Sequence, residues 1–255
     1  MKVFILATCL NGDLNPTLLV FKTLRVGFPT ARVVVFGNGL GPAEMLVVKS
    51  DCDHASCKFV YMERIAHDAW IELLLAKSEE PFWICDTDVV FHSSVEGFVN
   101  DDTLLKGRHE PPFVEPWSKT MKTERLHTSL LYMNAPVIRH RVCEWIRKWH
   151  PPRFPFTPKI ELVRQCYVPR GVDRPPTFRD TCSGLYLAIG GESFSDEENS
   201  AFDHLHCGTY VDRMKGAVPG LAEAHAQIYA HPEAVTLLKA NQKEFYARLQ
   251  RPEVA

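Results

Sequence analysis

The stretch Phe82-Trp83-Ile84-Cys85-Asp86-Thr87-Asp88-Val89-Val90-Phe91 decides how this chain reads. The apolar run from Phe82 to Cys85 reads as a short strand buried on both faces. Two carboxylates spaced as Asp-x-Asp follow at once, and the chain turns apolar again at Val89. In open α/β sheets ligands bind beyond the carboxyl ends of the strands. Two anions this close repel each other unless something neutralises them. A hard divalent cation bridging to a phosphate does so naturally. The plainer alternative is a solvated strand exit, where aspartate is common. Asp51-Cys52-Asp53 repeats the spacing without an apolar strand leading in and reads as a surface loop. Asp101-Asp102 reads as a helix cap or turn.

Upstream, residues 3–10 form an apolar run expected to be the first buried strand. Asn15-Pro16 signals the start of a helix running to about Val26. Arg32 to Phe36 is a second strand, closed by Gly37-Asn38-Gly39, so the first 40 residues read as a βαβ unit. The stretch from Pro42 to Ser56 is ambiguous. Lys58 to Met62 reads as a strand, and His67 to Ser78 as an amphipathic helix with a wide apolar face of Trp70, Ile71, Leu73, Leu74 and Leu75. Downstream, Thr128 to Asn134 reads as a strand and Pro136 to Trp149 as a helix. Residues 150–179 hold seven of the eighteen prolines and read as a long irregular excursion. A helix is expected over Thr181 to Ile189, capped by Asp180. Phe202 to Tyr210 is strand-like, and two helical pieces split at Pro232 close the chain. No internal repeat or low-complexity tract is present. The pattern predicts a Rossmann-related α/β fold with a central, mostly parallel sheet flanked by helices.

Composition limits the function classes. The chain has 255 residues, a formal net charge of −2, 45% hydrophobic and 24% charged residues. This excludes disordered, fibrous and disulfide-stapled miniprotein classes. The charge balance gives no global reason for a nucleic-acid or membrane partner. No apolar run is long enough to span a bilayer, and the N-terminal run lacks a small-x-small cleavage site. The eight scattered cysteines read as free thiols in a reducing compartment, which predicts a cytoplasmic protein. Cys52-x-His54 with Cys57 matches no strong zinc spacing.

A second constellation is Asp203-His204-Leu205-His206-Cys207-Gly208-Thr209. In an extended strand His204 and His206 face the same side, and imidazole suits manganese-like or zinc-like ions. Together with Ile84-Cys85-Asp86-Thr87-Asp88-Val89-Val90-Phe91 and Leu126-His127-Thr128-Ser129-Leu130-Leu131-Tyr132-Met133-Asn134, the chain resembles the nucleotide-sugar-dependent glycosyltransferases of the GT-A fold. The resemblance covers roughly residues 1–210. It implies one GT-A-like domain over 1–255: a nucleotide-sugar-binding half at 1–100, an acceptor and metal-completing half at 101–220, and C-terminal helices at 221–255. It also implies a divalent metal, manganese or magnesium, and a nucleotide-sugar donor as co-substrate. Asp88 would bind the metal, Asp86 the metal or the ribose, and His204 or His206 would be the late ligand. Thr8, Cys9, Asn11 and Asn38 would hold the nucleotide, with Thr87 beside it and His67 near the donor.

The expected activity is therefore hexosyl or pentosyl transfer to a hydroxyl acceptor. Asp180 and Glu115 are the candidate general bases, with Glu110 competing. Residues 139–179 carry ten lysines and arginines against three acidic residues, interleaved with aromatic side chains. Such a stretch suits a nucleic-acid base bearing a hydroxyl, or an anionic glycan, as acceptor; a solvated loop is the alternative. Two other readings remain open. Asp86-x-Asp88 also fits the opening motif of haloacid-dehalogenase-type phosphatases, although that motif normally lies on the first strand. The chain could equally be a non-catalytic nucleotide-binding module.

Overall fold

The computed structural model describes residues 1–10, 13–14, 18–114, 120–149, 161–168, 177–205 and 234–250. In chain order the elements are β1 (Lys2–Leu10), β2 (Asp13–Leu14), α1 (Val20–Gly27), β3 (Arg32–Asn38), α2 (Pro42–His54), β4 (Lys58–Met62), α3 (His67–Lys77), β5 (Phe82–Cys85) and β6 (Val89–Phe91). There follow β7 (Leu105–Glu110), β8 (Phe113–Val114), β9 (Met121–Lys122), β10 (Arg125–Met133), α4 (Ala135–Trp149), β11 (Cys166–Val168) and β12 (Thr177–Arg179). The last are α5 (Ser183–Ile189), β13 (Glu192–Ser193), α6 (Asp196–Asn199), β14 (Phe202–His204) and α7 (Ala234–Leu249). The fold class is the expected one, mixed α/β with a large, mostly parallel central sheet flanked by helices.

The chain forms two compact units. The first comprises Lys2–Arg64, Cys85–Phe98 and Ser195–Ala255. Here β1 pairs with β3 in parallel from Lys2–Arg32 to Thr8–Asn38, and β3 with β4 from Val34–Lys58 to Asn38–Met62. Val3, Ile5, Ala7, Val33 and Val35 are buried, which is why these strands read as apolar runs. The βαβ reading holds, but α1 begins at Val20 with Leu19 as its N-cap; the expected start at Asn15-Pro16 lies outside the described residues. Leu18, Leu19, Val20 and Leu24 form its buried face.

The ambiguous stretch after Gly41 is a helix. Pro42 sits in the first turn, where its missing N–H costs nothing. The Glu44 carboxylate reaches back to accept the Gly41 N–H at 2.7 Å, the half of a capping box that needs no side chain at the cap. Asp51-Cys52-Asp53 lies in the last turns of α2, correcting the surface-loop expectation. Cys52 is on the buried face with Val47 and Val48, and Asp51 pairs with Arg248 of α7 at 2.6 Å. Asp101-Asp102 forms the expected turn, with Asn100 Oδ1 accepting the N–H groups of Asp102 and Thr103.

The second unit comprises Met1, Ile65–Ile84 and Val99–Phe194. β13 runs parallel to β7, and β7 antiparallel to β10. A small four-stranded sheet, ordered β11-β12-β9-β8, occupies part of the stretch expected to be irregular. In α3 the predicted face is narrower than expected: Trp70, Ile71, Leu74 and Leu75 are buried, whereas Leu73 is 46% exposed. The helix after Asp180 starts at Ser183, because Cys182 adopts a left-handed conformation at φ 64° and serves as N-cap. Asp180 accepts the Thr181 N–H at 2.8 Å, before the helix rather than at its cap. Burial pushes the Cys182 thiol up to about 12, with Arg125 lowering it and Asp180 raising it. A thiol whose folded pKa lies above its unfolded value near 8.5 adds stability below that value and loses it as pH rises through the folded one. Urea unfolding should therefore show stability falling from pH 8 to pH 10, and Cys182→Ala should flatten the fall by up to about 1.4 kcal/mol per pH unit. An unchanged slope would remove Cys182 as its source.

Candidate functional site: two carboxylates and an imidazole

The Asp-x-Asp segment follows β5 directly and turns into β6. β6 pairs antiparallel with β14, and the register sets Phe202 opposite Phe91, Asp203 opposite Val90, and His204 opposite Val89. Opposed residues face the same side of a ladder, so His204 arrives beside the aspartates through a pairing that spans more than a hundred residues of sequence. Its Nε2 lies 3.2 Å from Asp88 Oδ1 and 4.0 Å from Asp86 Oδ2. One ligand atom from each of the three residues falls within 4.8 Å of the others. Asp203 points the other way, as strand alternation requires, and pairs with His92 at 2.9 Å.

Backbone hydrogen bonds fix the turn. The Val20 N–H donates to the Thr87 carbonyl at 3.1 Å, and the Leu205 N–H to the Asp88 carbonyl at 3.1 Å. The Phe91 N–H donates to Thr23 Oγ1 at 2.9 Å. Phe91 also packs edge-on against Phe28, with ring centroids 5.3 Å apart. It lies so close to α1 that a Cβ on Gly27 would clash with its ring. Gly27→Ala should therefore push β6 aside and cost about 1–3 kcal/mol, read by chemical denaturation; a change within experimental error would show that the ring yields freely.

Asp88 and His204 are 2% and 5% exposed, whereas Asp86 is partly open to solvent. Burial, with Asp86 and Asp88 adding to it, holds the neighbouring Cys85 thiol well above the ordinary range. Two carboxylates and one imidazole are a donor set suited to a hard or borderline divalent ion such as magnesium or manganese. The residues present thus fit such a cation, with Asp86 on the open side.

The remaining expectations fall as follows. Thr8, two residues before the end of β1, pairs with Asn38 at the end of β3, and Asn38 Nδ2 donates to Thr8 Oγ1 at 3.0 Å. Thr87 is buried beside the aspartates. Cys9 lies in β1, opposite Leu14 of β2. Asn11, Glu115 and His206 lie outside the described residues. A groove of about 580 Å³ among α1, α2 and α7 is lined by none of the three clustered residues. It is a helix-packing seam crossed by Lys22–Glu244 at 2.8 Å and Arg248–Asp51 at 2.6 Å.

In the second unit, His67 opens α3 and stacks on Trp70. Asp180 is held on both oxygens. Oδ1 accepts from Gln165 Nε2 at 2.9 Å and from the Thr181 N–H, and Oδ2 lies 3.4 Å from Arg125 Nη1. Glu110 Oε2 accepts from Arg125 Nε at 2.7 Å, while Oε1 lies 3.5 Å from His127 Nε2. The Ser129 N–H donates to His127 Nδ1 at 3.0 Å, so a neutral His127 ring carries its proton on Nε2, toward Glu110. Burial pulls the Arg125 pKa down, but Asp180 and Glu110 outweigh it and leave it raised. Sequence reasoning missed Arg125 and His127. The signal lies in the β7–β10 register, which sets Arg125 opposite Glu110 with His127 two residues on. Within 139–179, Arg139 donates to the carbonyls of Leu75 and Ser78, and Arg164 pairs with Glu72 at 2.6 Å. Both cations thus serve internal contacts; residues 150–160 and 169–176 lie outside the described residues.

No family model and no curated protein sequence matches the chain. Solved structures do. The chain is similar to the galactosyltransferase LgtC in complex with donor and acceptor sugar analogues, at 12% identity and a TM-score of 0.47, over 98% of this chain and 97% of that one. It is similar to the glycosyltransferase GlyE of Streptococcus pneumoniae TIGR4 at 8% identity and a TM-score of 0.44, over 96% of this chain and 63% of GlyE. It is also similar to a glucose-1-phosphate thymidylyltransferase of Bacillus anthracis, at 11% identity and a TM-score of 0.44, over 84% and 93% of the two chains.

Proposed function

We propose that this chain is a metal-dependent glycosyltransferase that moves a sugar from a nucleotide-sugar donor to a hydroxyl acceptor. The observation that carries the reading is the meeting of Asp86, Asp88 and His204 at a strand end, through the β6–β14 register. When bound, a divalent cation supplies charge neutralisation to the diphosphate of the leaving nucleotide. Asp88 and His204, both buried, would hold it from the protein side, and Asp86 from the open side. Thr8 and Asn38, paired near the carboxyl ends of β1 and β3, are the candidates to hold the nucleotide, since open α/β sheets bind ligands beyond those strand ends. The general-base candidates are Asp180, Glu110 and Glu115; Asp180 has its oxygens engaged by Gln165, Thr181 and Arg125, and Glu110 has its oxygens engaged by Arg125 and His127. Free thiols at Cys52, Cys57, Cys85, Cys143, Cys166 and Cys182 support a cytoplasmic location. Among the described residues no helix is long and apolar enough to cross a membrane.

The test is hydrolysis of a panel of nucleotide sugars with manganese or magnesium, with and without chelator. The reading expects release of nucleoside diphosphate that stops when the metal is removed. Turnover of p-nitrophenyl phosphate in place of nucleotide sugars would transfer the Asp-x-Asp motif to the phosphatase reading. Saturable nucleotide binding without turnover would make the chain a binding module.

A further inference from the structure

Helix α2 ends in a turn that brings two cysteines together. Ser56 adopts a left-handed conformation at φ 55°. Its N–H donates to the Asp53 carbonyl at 3.2 Å, and the Cys57 N–H donates to the Cys52 carbonyl at 2.7 Å. This pair of bonds is a Schellman motif, in which the side chain just after the turn packs on one in the last turn of the helix. Here those two positions are Cys57 and Cys52, both free thiols. The 2.7 Å bond, with standard bond lengths on either side, holds their Cα atoms within about 6.6 Å of each other. Disulfides bridge Cα atoms about 4.4–6.8 Å apart. Arg25 of α1 braces the turn, donating Nε to the Ala55 carbonyl at 2.9 Å and Nη2 to the Ser56 carbonyl at 2.8 Å. Cys52 is buried and Cys57 half-buried, so Cys57 is the thiol that solvent reaches.

We infer that Cys52 and Cys57 are an oxidation site, at which a small disulfide such as oxidised glutathione converts the two thiols into an intramolecular disulfide. The Cys57 thiol gives its proton to water, and the thiolate attacks one sulfur of the oxidant, expelling one glutathione thiolate. The Cys52 thiol loses its proton in turn and attacks Cys57 Sγ, forming the Cys52–Cys57 bond and expelling the second glutathione. Two protein thiols are oxidised and one glutathione disulfide is reduced. The bridge staples the last turn of α2 to the start of β4 at Lys58. Burial pushes the Cys57 thiol up to about 11, with the Arg25 guanidinium beside it lowering it. Burial also holds Cys52 far above the ordinary thiol range, and Cys57 adds to that rise. A thiol of high pKa attacks slowly, because the thiolate is the nucleophile. A pair whose reduced form has no stabilised thiolate also makes a disulfide that resists reduction. The site is therefore slow to close and slow to reopen, unlike the exposed, low-pKa thiols of fast redox sensors.

The sequence makes the test direct, because trypsin releases both cysteines, and no others, in the single peptide Ser50–Lys58. The full chain is equilibrated in buffers of reduced and oxidised glutathione, quenched with acid, alkylated in denaturant and digested without reduction. In the oxidising buffers Ser50–Lys58 is expected to escape alkylation and to weigh two hydrogens less than the dithiol peptide. Prior reduction should restore alkylation at both cysteines. The rate of closure should rise about tenfold from pH 7 to pH 8, as the thiolate fraction does below a pKa near 11. In Cys57→Ser the buried Cys52 should stay a free thiol and take up no glutathione. The inference is overturned if Ser50–Lys58 is alkylated at both cysteines in every buffer. It is equally overturned if Cys57 stops at the glutathione adduct, or if the bridge forms only in the urea-unfolded chain. Neither cysteine belongs to the Asp-x-Asp site, so the outcome is independent of the transferase reading.

Discussion

Asp88→Asn is expected to lower metal-dependent turnover of a nucleotide-sugar donor by about a thousandfold, equivalent to ~4 kcal/mol of transition-state stabilisation. The size follows from position. Asp88 is 2% exposed and meets His204 Nε2 at 3.2 Å, so it forms the inner wall of the site. Asparagine keeps the shape and removes the charge that holds a cation. The same substitution should leave the protein folded, because the turn is held by the main-chain bonds Leu205 N–H to Asp88 carbonyl and Val20 N–H to Thr87 carbonyl. It should also abolish the rise in melting temperature that manganese is expected to give the wild type. That rise corresponds to about 2.7 kcal/mol at a metal concentration one hundred times the dissociation constant. A variant that keeps both turnover and the manganese shift would remove Asp88 from the site.

The largest effect on stability is expected at Arg125. Arg125→Met deletes the guanidinium that bridges Glu110 at 2.7 Å and Asp180 at 3.4 Å, and leaves two partly enclosed carboxylates without their cation. Breaking a buried ion pair from one side typically costs 3–5 kcal/mol. Both carboxylates retain some contact with solvent, so a loss of about 3 kcal/mol is expected at neutral pH. Adding Glu110→Gln should recover part of it, since one of the stranded charges is then gone. Urea unfolding of the single and double variants gives the comparison. A single-variant loss below about 1 kcal/mol would mean that solvent already screens the cluster.

Much of the fold was legible because its central strands bury apolar runs: Phe82–Cys85 is buried throughout, and β1 and β3 bury Val3, Phe4, Ile5, Ala7, Val33 and Val35. The runs at residues 3–10, Arg32–Phe36 and Phe82–Cys85 each became a strand, as short unbroken apolar runs in a parallel sheet do, and Lys58–Met62 became one although none of its residues is buried. Helix α2 was harder to read. Its start depends on a glycine cap and on Glu44 reaching backward, and of its apolar residues only Val47, Val48 and Cys52 are buried, while Leu46 is 45% exposed. The start of α5 moved because the left-handed turn at Cys182 is a tertiary choice that no local pattern announces.

The candidate site divides along the same line. Asp86 and Asp88 stood out because a buried strand delivers them. His204 was visible as a histidine in a strand-like stretch, but its place beside Asp88 exists only through the β14–β6 register. Arg125 stood in no motif, and His127, although inside the stretch Leu126–Asn134 that carries the resemblance, had no role assigned to it. They matter because β7 and β10 pair with Arg125 opposite Glu110, a relation between segments that composition and periodicity do not encode.

The central claim is that Asp86, Asp88 and His204 hold one divalent cation that meets the donor diphosphate. Electron paramagnetic resonance of free manganese tests it most directly, titrated with wild type and with Asp88→Asn, each with and without UDP or GDP. The account predicts that wild type removes about one equivalent of the free-ion signal, that one of the nucleoside diphosphates tightens this binding, and that Asp88→Asn loses both effects. Equal depletion of the signal by wild type and Asp88→Asn, with no response to either nucleotide, would contradict it.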